Sequence, residues 1–344
     1  MASKFTCSHI SVNGTKITDL YPEIMFTLIL TRIDHSSLAS LALASTQLHA
    51  LCNHEYIWTK ICNSNWQSTK NLLVQKAISS FPGGHRSFFT DSYPILQFGN
   101  NYKYSCYNRH DIASVQRPEH LLSAVDIQYK NKAIYSNVDV INTGTEIFAS
   151  SSFKVEVRNQ LESVRLSIKC EDEEDIHFAD LKECMTLSWI MIDPTQKRAA
   201  NISSQLPVSV RRHWIDGDIE VKYAIVTPRD SSAGMSELVE IRTIVMLEWE
   251  EEKAYLKLRK VSLQVYDMDC ICLQGIESLR ILQKAIRYGT RKKTKRDEVT
   301  DRYRIFVNKK RARREGRQKR QHNITAPLLA TFLVALIILK VSAL

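Results

Sequence analysis

The hydrophobic period changes near residue 125, and this change constrains the fold more than any other feature of the chain. Before it, apolar residues recur at helical spacing in short runs between Leu20 and Trp66. After it, apolar and polar residues alternate, as in the run from Ile219 to Ile225. About seven such strands without long helices between them favour an antiparallel sandwich. The sequence therefore predicts an α+β fold in which a small helical module precedes a mostly antiparallel, sandwich-like β domain.

The helical pieces of the first module are too short to be stable alone, because nucleating a helix is costly and each turn buries little surface. Pro22 suits the first turn of one helix, since its missing N–H has no partner there. Asp34 to Ser37 supplies capping groups for the next helix, and Ser45 or Thr46 for the one after it. The module carries more apolar surface than forty-odd residues can bury internally, so we expect it to pack against a partner.

The basic character of the chain is confined to one segment. The formal net charge is +10, and sixteen Lys and Arg against four acids between Arg287 and Arg320 give that segment a net +12. The remainder is therefore close to neutral, at −2. A segment of this kind fits contact with anionic lipid headgroups, or a nuclear import signal. The candidate residues for either role are Lys309, Lys310, Arg311, Arg313 and Arg314. Nucleic-acid binding is the least favoured partner, because few aromatic residues interleave with the charges.

An apolar tail follows the basic segment. Thr325 to Leu344 is twenty residues, about 30 Å as a helix, which matches the thickness of a bilayer core. The sequence predicts a transmembrane tail whose basic flank stays in the cytosol. The candidate membrane residues are Leu328, Phe332, Leu336 and Leu339. The alternative is a packed or partner-binding helix, because the uncharged stretch Ala326 to Leu339 has only fourteen residues.

The sequence carries no motif of a known catalytic site. It has no Walker A loop, nucleophile elbow, zincin helix or dinucleotide fingerprint. The eight cysteines show no metal-ligand or C-x-x-C spacing, which favours reduced thiols in the cytosol or nucleus. His85 with Asp91 is the one pair that suggests a site, and a lone histidine of this kind is more often structural. The sequence predicts no cofactor and no metal.

Leu20 to Cys62, LYPEIMFTLILTRIDHSSLASLALASTQLHALCNHEYIWTKIC, resembles the F-box. Three later segments, GGHRSFFTDSYP, LSWIMIDPTQKRAANISSQLPVSVRRHW and KVSLQVYDMDCICLQGIESLRILQKAI, resemble a group of plant F-box proteins, the cytokinin-induced type. Some members of this group also end in an apolar tail. The β-rich half is faintly similar to the phloem-lectin sandwich found behind some plant F-boxes.

The resemblance implies a non-catalytic substrate adaptor of an SCF-type ubiquitin ligase. The F-box would dock on a Skp-type adaptor, and hence on a cullin, while the β-rich domain would bind an unidentified target. The residues that the resemblance assigns to adaptor binding are Leu20, Pro22, Glu23, Ile24, Leu28, Ile29, Leu38, Leu41, Leu48, Leu51 and Trp58. Among these, Leu20, Pro22, Ile24 and Leu38 are the expected direct contacts. The alternative is a membrane-tethered or lectin-like binding module without a ligase role.

These observations divide the chain into five parts. They are an F-box at 16–66, a helical and loop connector at 67–125, a β-rich target-recognition domain with a closing helix at 126–289, a basic linker at 290–322 and a membrane tail at 324–344. The expected location is the cytosolic face of a membrane, or the nucleus. His213, Trp214 and Trp189 are expected in the core and rim of the β domain, or on a recognition surface.

Overall fold

The computed structural model describes residues 24–97, 117–157, 165–166, 174–229, 237–250, 255–292 and 296–342, with side chains as far as Gln321 in the last range. The chain divides into two compact units, Met1–Asn65 and Trp66–Leu344.

The first unit is helical throughout its described part. A π-helical turn at Met25–Ile29 and a 3₁₀ turn at Leu30–Arg32 precede α1 (His35–Ala42), α2 (Thr46–Cys52) and α3 (Glu55–Asn65). Asp34 caps α1 by accepting hydrogen bonds from the backbone N–H groups of Ser36 and Ser37 at 2.9 and 3.0 Å. Ser45 caps α2 through Leu48 N at 3.1 Å. The two helices predicted to start at Asp34 and at Ser45 are therefore confirmed with their caps, whereas Pro22 lies outside the described residues.

The second unit begins with helices and continues as strands. Its helices are α4 (Leu72–Ser79), α5 (Gly84–Ser92), α6 (Glu146–Ser150), α7 (Glu174–Cys184), α8 (Gly275–Tyr288) and α9 (Arg296–Ser342), with a 3₁₀ turn at Gln67–Lys70. Its described strands are β1 (Ile95–Gln97), β2 (His120–Tyr129), β3 (Lys132–Asn142), β4 (Lys154–Val157), β5 (Arg165–Leu166), β6 (Met185–Asp193), β7 (Arg198–Asn201), β8 (Ser209–Arg212), β9 (Ile219–Arg229), β10 (Glu237–Glu250), β11 (Tyr255–Tyr266) and β12 (Thr290–Lys292).

The strands form two sheets that are antiparallel apart from the pairing of β1 with β7. The first sheet has the order β12-β1-β7-β6-β2-β3, and the second has the order β4-β11-β10-β9-β8 with β5 beside β11. Lys130 and Asn131 connect β2 and β3 as a two-residue turn, and both have the positive φ that such hairpins require.

One hydrophobic core joins the two sheets. Val125 and Trp189 of the first sheet and Val221 and Val245 of the second lie in the same fully buried cluster. Helix α8 contributes Leu279, Leu282 and Ile286 to this core, three apolar residues that recur at helical spacing on one face. The α+β class and the mostly antiparallel β-rich domain are therefore confirmed.

Two of the predicted boundaries cut through regular elements. The expected division at residues 125 and 126 falls inside β2, which starts at His120. Nearly every residue of β2 is buried, so the strand lacks the alternation that reveals a half-exposed strand. The expected linker at 290–322 contains β12 and more than half of α9.

Candidate docking and recognition surfaces

Three of the expected adaptor-binding residues form the interior of the first unit. Leu38, Leu48 and Trp58 are buried, and Trp58 Nε1 donates a hydrogen bond to Cys52 O at 2.9 Å. This bond fixes the start of α3 to the end of α2. Leu38 was an expected direct contact, whereas the structure places it inside the unit, where it holds α1 in position.

Other expected residues face solvent. Ile24 and Leu28 are exposed, although both are large and apolar. Ile29, Leu41 and Leu51 are half-buried, with an exposure between those of the buried and the exposed residues. Leu20, Pro22 and Glu23 lie outside the described residues.

Sequence reasoning missed two further exposed apolar residues in the same unit. Leu43 lies just beyond the end of α1, and Tyr56 is in the first turn of α3. Tyr56 also carries Lys60 above its ring, 5.5 Å from the centroid. The signal available in the sequence was the crowding of apolar residues in such short helices, which exceeds what the unit buries.

Capping at Asp34 is strengthened by electrostatics. Hydrogen bonds from the Ser36 and Ser37 side chains, with the backbone N–H of Ser37, hold the pKa of Asp34 well below its usual range. The carboxylate is therefore ionised at neutral pH and complements the positive end of the α1 dipole. Local bonds to Asp34 thus fix the start of α1, which follows the turn that carries Leu28.

Two buried carboxylates fasten the helices of the second unit to its strands. Asp126 accepts bonds from Ser68 N at 2.9 Å, Ser68 Oγ at 2.5 Å and Ser136 Oγ at 2.8 Å. Burial raises the pKa of Asp126, and these bonds oppose the rise. Asp91 holds Arg198 through two bonds, at 2.7 and 2.9 Å. The ion pair with Arg198 gives Asp91 a structural role. This role explains the presence of Asp91 without the site that His85 and Asp91 suggested in the sequence.

The basic segment is a helix attached to the second sheet, in contrast to the linker predicted there. Phe306 is buried, and Tyr303 donates to Glu240 at 2.9 Å. Glu240, which is only 1% exposed, also forms an ion pair with Lys310 of α9, whose Nζ lies 3.5 Å from its carboxylate. Further along α9, Arg313 pairs with Glu237 and Asp269 at 2.5 and 3.1 Å. Arg317 also reaches Asp269, at 2.8 Å. The inner stripe of α9 therefore binds acidic groups of β10 and of the loop after β11.

Glu240 is the centre of this attachment. Arg242 and Lys222 of the sheet lie 2.7 and 2.9 Å from its carboxylate. Burial acts to raise the pKa of Glu240, but the bond and charge of Arg242 and the charge of Lys222 outweigh it, lowering the pKa to about 2. Burial lowers the pKa of Lys222, and the attraction of Glu240 offsets this only in part. The carboxylate is therefore firmly ionised and accepts the basic helix.

The five candidate import or lipid-binding residues divide between the two faces of α9. Lys310 and Arg313 are occupied by the ion pairs with the sheet. Lys309, Arg311 and Arg314 are exposed. The outer three are therefore the accessible members of this set.

The expected membrane residues Leu328, Phe332, Leu336 and Leu339 lie outside the residues whose side chains are described. Among the described residues, the helices do not include one that is long and apolar enough to cross a membrane. A membrane tail therefore stays a prediction. The part of the chain that the structure describes also holds no cluster of His, Cys, Asp or Glu suited to a metal ion.

The two tryptophans considered from the sequence have opposite environments. Trp189 is fully buried and donates from Nε1 to Ser123 Oγ at 2.9 Å. Trp214 lies in the loop between β8 and β9 and is 88% exposed. Trp189 is therefore a core residue, and Trp214 is the more accessible aromatic.

Comparison with known proteins gives three curated relatives from Arabidopsis thaliana. F-box protein At2g27310 is 36% identical over 325 residues, which cover 90% of this chain and 91% of the relative. F-box protein At3g44326 is 35% identical over 327 residues, covering 92% and 86%. Probable F-box protein At2g36090 is 36% identical over 305 residues, covering 87% and 85%.

No family model matches the chain. No solved structure matches it either. The relatives nevertheless extend across both units, so their likeness is not confined to a single motif. With a capped helical unit at the N-terminus and relatives matched over about nine-tenths of its length, the chain belongs to the family of plant F-box proteins.

Proposed function

We propose that the chain is the substrate-recognition subunit of an SCF-type ubiquitin ligase. In this proposal the first unit docks on a Skp-type adaptor, which links it to a cullin, and the β-rich unit binds the target. The observation that carries the proposal is the pair Ile24 and Leu28, apolar residues exposed on the capped helical unit of an F-box protein.

The energetics of such docking are adequate. Covering apolar surface is worth about 25 cal/mol per Å² before association costs are subtracted. A few hundred Å² of apolar surface that includes Ile24 and Leu28 would therefore supply a useful part of the binding free energy. Leu38, Leu48 and Trp58 contribute by holding the helices beneath that surface.

The proposed role is non-catalytic. The chain would raise the rate of ubiquitin transfer only by placing a target lysine near a charged conjugating enzyme, which replaces a bimolecular encounter by a positioned one. We therefore expect no turnover by the isolated protein.

The adaptor interaction is tested by a pull-down of a purified Skp-type adaptor with the full chain. We expect the wild type to retain the adaptor and Ile24→Asp/Leu28→Asp to lose it, because two carboxylates would be desolvated at the interface. Leu72→Asp is the matched control, since Leu72 is also exposed but belongs to the second unit. Equal retention by wild type and the double variant would remove the basis of the proposal.

We propose further that the protein acts on the cytosolic side of a membrane or in the nucleus. The support is the outer face of α9, on which the cationic side chains of Lys309, Arg311 and Arg314 are exposed. Carbonate extraction of the full chain and of a truncation after Asn323 tests the membrane alternative. Retention of the full chain alone in the membrane fraction favours the anchor, and release of both forms contradicts it.

A further inference from the structure

The loop between β8 and β9 presents two apolar side chains to solvent. Trp214 is 88% exposed and the adjacent Ile215 is 69% exposed. An aromatic side chain of this size buries roughly 150–250 Å² when a partner covers it, which is among the largest areas that one residue can contribute. Such residues are also the commonest energetic centres of protein interfaces. The pair therefore stands out as a contact surface on the β-rich unit.

The loop is held in one shape by bonds that leave the two apolar residues out. His213 Nδ1 lies 2.7 Å from Asp216 Oδ1, and the His213 N–H donates to Asp218 O at 2.7 Å. Gly217 completes the turn with a φ of +75°, and its N–H donates to His213 O at 3.0 Å. Because the backbone is already ordered, a partner need not bear the entropy of ordering it.

The charges around the loop are arranged with the cations outward. Arg211 is paired with Glu220, but the arginine side chain is 66% exposed and the glutamate side chain 9%. Arg259 pairs with Asp218, and the exposures are 53% and 6%. Arg212 is exposed as well. A partner approaching Trp214 therefore meets guanidinium N–H donors, while most of the carboxylates lie beneath them.

We propose that the Trp214 and Ile215 tip, with its guanidinium rim, binds the protein target through an acidic segment that contains apolar side chains. The indole would pack on the apolar residues of that segment, and Arg211, Arg212 and Arg259 would donate to its carboxylates. The inference deepens the proposed function, on which it rests, by locating the target site on the β-rich unit. It also gives the target segment a defined chemistry.

The test uses the purified full chain and three synthetic peptide libraries. The first flanks Leu, Ile or Phe with Asp and Glu, the second reverses the charges to Lys and Arg, and the third keeps the acids but replaces the apolar residues by Ser. We expect the wild type to prefer the first library. Trp214→Ala/Ile215→Ala should weaken this binding at least about tenfold, the effect of removing a central aromatic contact.

The variants have matched controls in the same unit. Ile147→Ala/Ile271→Ala removes two other exposed apolar residues and should leave binding unchanged. Arg212→Glu should abolish the preference between the first two libraries, whereas Arg304→Glu, an exposed arginine of α9, should preserve it. Near-ultraviolet circular dichroism, which reports the packing around Trp189, verifies that each variant is folded.

Several outcomes would overturn the proposal. One is that the wild type shows no preference among the three libraries, and another is that it prefers the basic one. Binding of the first library by the Trp214 variant as tightly as by the wild type would also contradict the proposal. Trp214-dependent binding to phosphatidylserine vesicles without peptide selectivity would assign the tip to lipid. Trp214-dependent self-association in sedimentation would assign it to a second copy.

Adaptor binding is measured on the same samples to separate the two proposals. Trp214→Ala/Ile215→Ala should retain the Skp-type adaptor at the wild-type level, because the substitutions lie in the second unit. In the wild type, absence of peptide selectivity with adaptor binding intact refutes the proposal for the tip and leaves the ligase role standing. Peptide selectivity without adaptor binding in the wild type refutes the ligase role and leaves a peptide-binding module.

Discussion

At the residue scale, Gly275, the first residue of α8, packs directly against the backbone of α6. A Cβ atom at this position would lie 1.9 Å from Phe148 O and 2.9 Å from Phe148 C, both backbone atoms of α6. No side-chain rotation relieves such a contact, so even a methyl group must displace one helix. Gly289, at the other end of α8, is similarly confined by Ala285 O and Leu96.

Gly275→Ala is therefore expected to lower the free energy of unfolding of the second unit by about 2 kcal/mol, within the range for overpacking. Denaturant titration measures the change. Gly316→Ala is the matched control, because this glycine also lies in a helix but nothing surrounds its missing Cβ. There the better helix propensity of alanine should add up to about 0.8 kcal/mol. Equal effects of the two substitutions would contradict the account of the α8 contact.

The residue scale also shows where sequence reasoning ends. The inward face of α8 was predictable, because Leu279, Leu282 and Ile286 recur at helical spacing. The difference in exposure between Trp189 and Trp214 was not predictable, because it depends on whether the ring lies on a strand or in a tight turn. Gly289 follows the last residue of α8 with a φ of −59°, so its position rests on the confinement by its neighbours and not on a left-handed backbone, which the sequence could not show.

At the scale of elements, α9 departs furthest from the sequence-based prediction. Its inner stripe contains Tyr303 and Phe306 but continues with Lys310, Arg313 and Arg317, which bind through ion pairs. A hydropathy pattern reveals which face of a helix is buried only when that face is apolar. It does not distinguish the cations of α9 that face the sheet from those that face solvent. The complementary acids Glu237, Glu240 and Asp269 lie far away in sequence, so only the fold brings them together.

The attachment of α9 should depend on pH through Glu240. Its pKa is lowered from the ordinary 4.5 to about 2 in the folded protein. The stabilisation is therefore complete above about pH 5 and is lost as the pH falls through 4.5 towards 2. Across this window the difference in unfolding free energy between wild type and Glu240→Gln should shrink by on the order of 2 kcal/mol.

Chemical denaturation at pH 6, 4 and 2.5, followed by near-ultraviolet circular dichroism, measures this difference. Glu248→Gln is the control, since Glu248 is far more exposed and its nearest pairing, to Lys257, is 3.9 Å long. Its effect should be small at each pH. A wild-type advantage over Glu240→Gln that stays constant from pH 6 to 2.5 would contradict the role given to the carboxylate.

At the scale of the whole molecule, the chain separates two kinds of surface between two units. The helical unit exposes aliphatic residues beside locally capped helices, and the β-rich unit exposes an aromatic tip on a rigid loop. The order of these units and the α+β class were predictable from the change of hydrophobic period. The extent of each surface was not, because short apolar runs do not reveal which of their residues remain outside the core.

This division predicts that adaptor binding and peptide selectivity can be lost independently of each other. Substitutions at Ile24 and Leu28 should remove adaptor binding and leave peptide selectivity, while substitutions at Trp214 and Ile215 should do the reverse. Such independence follows from the distribution of these residues over two compact units.

The central claim is that the exposed apolar residues of the first unit bind a Skp-type adaptor. Isothermal titration calorimetry of the purified full chain with a purified adaptor tests it most directly. We predict saturable binding with a negative heat-capacity change, the mark of apolar burial. Ile24→Asp/Leu28→Asp should weaken this binding at least about tenfold, with no effect of Trp214→Ala/Ile215→Ala. An affinity unchanged by the Ile24 and Leu28 substitutions, or no heat of binding by the wild type, would contradict the claim.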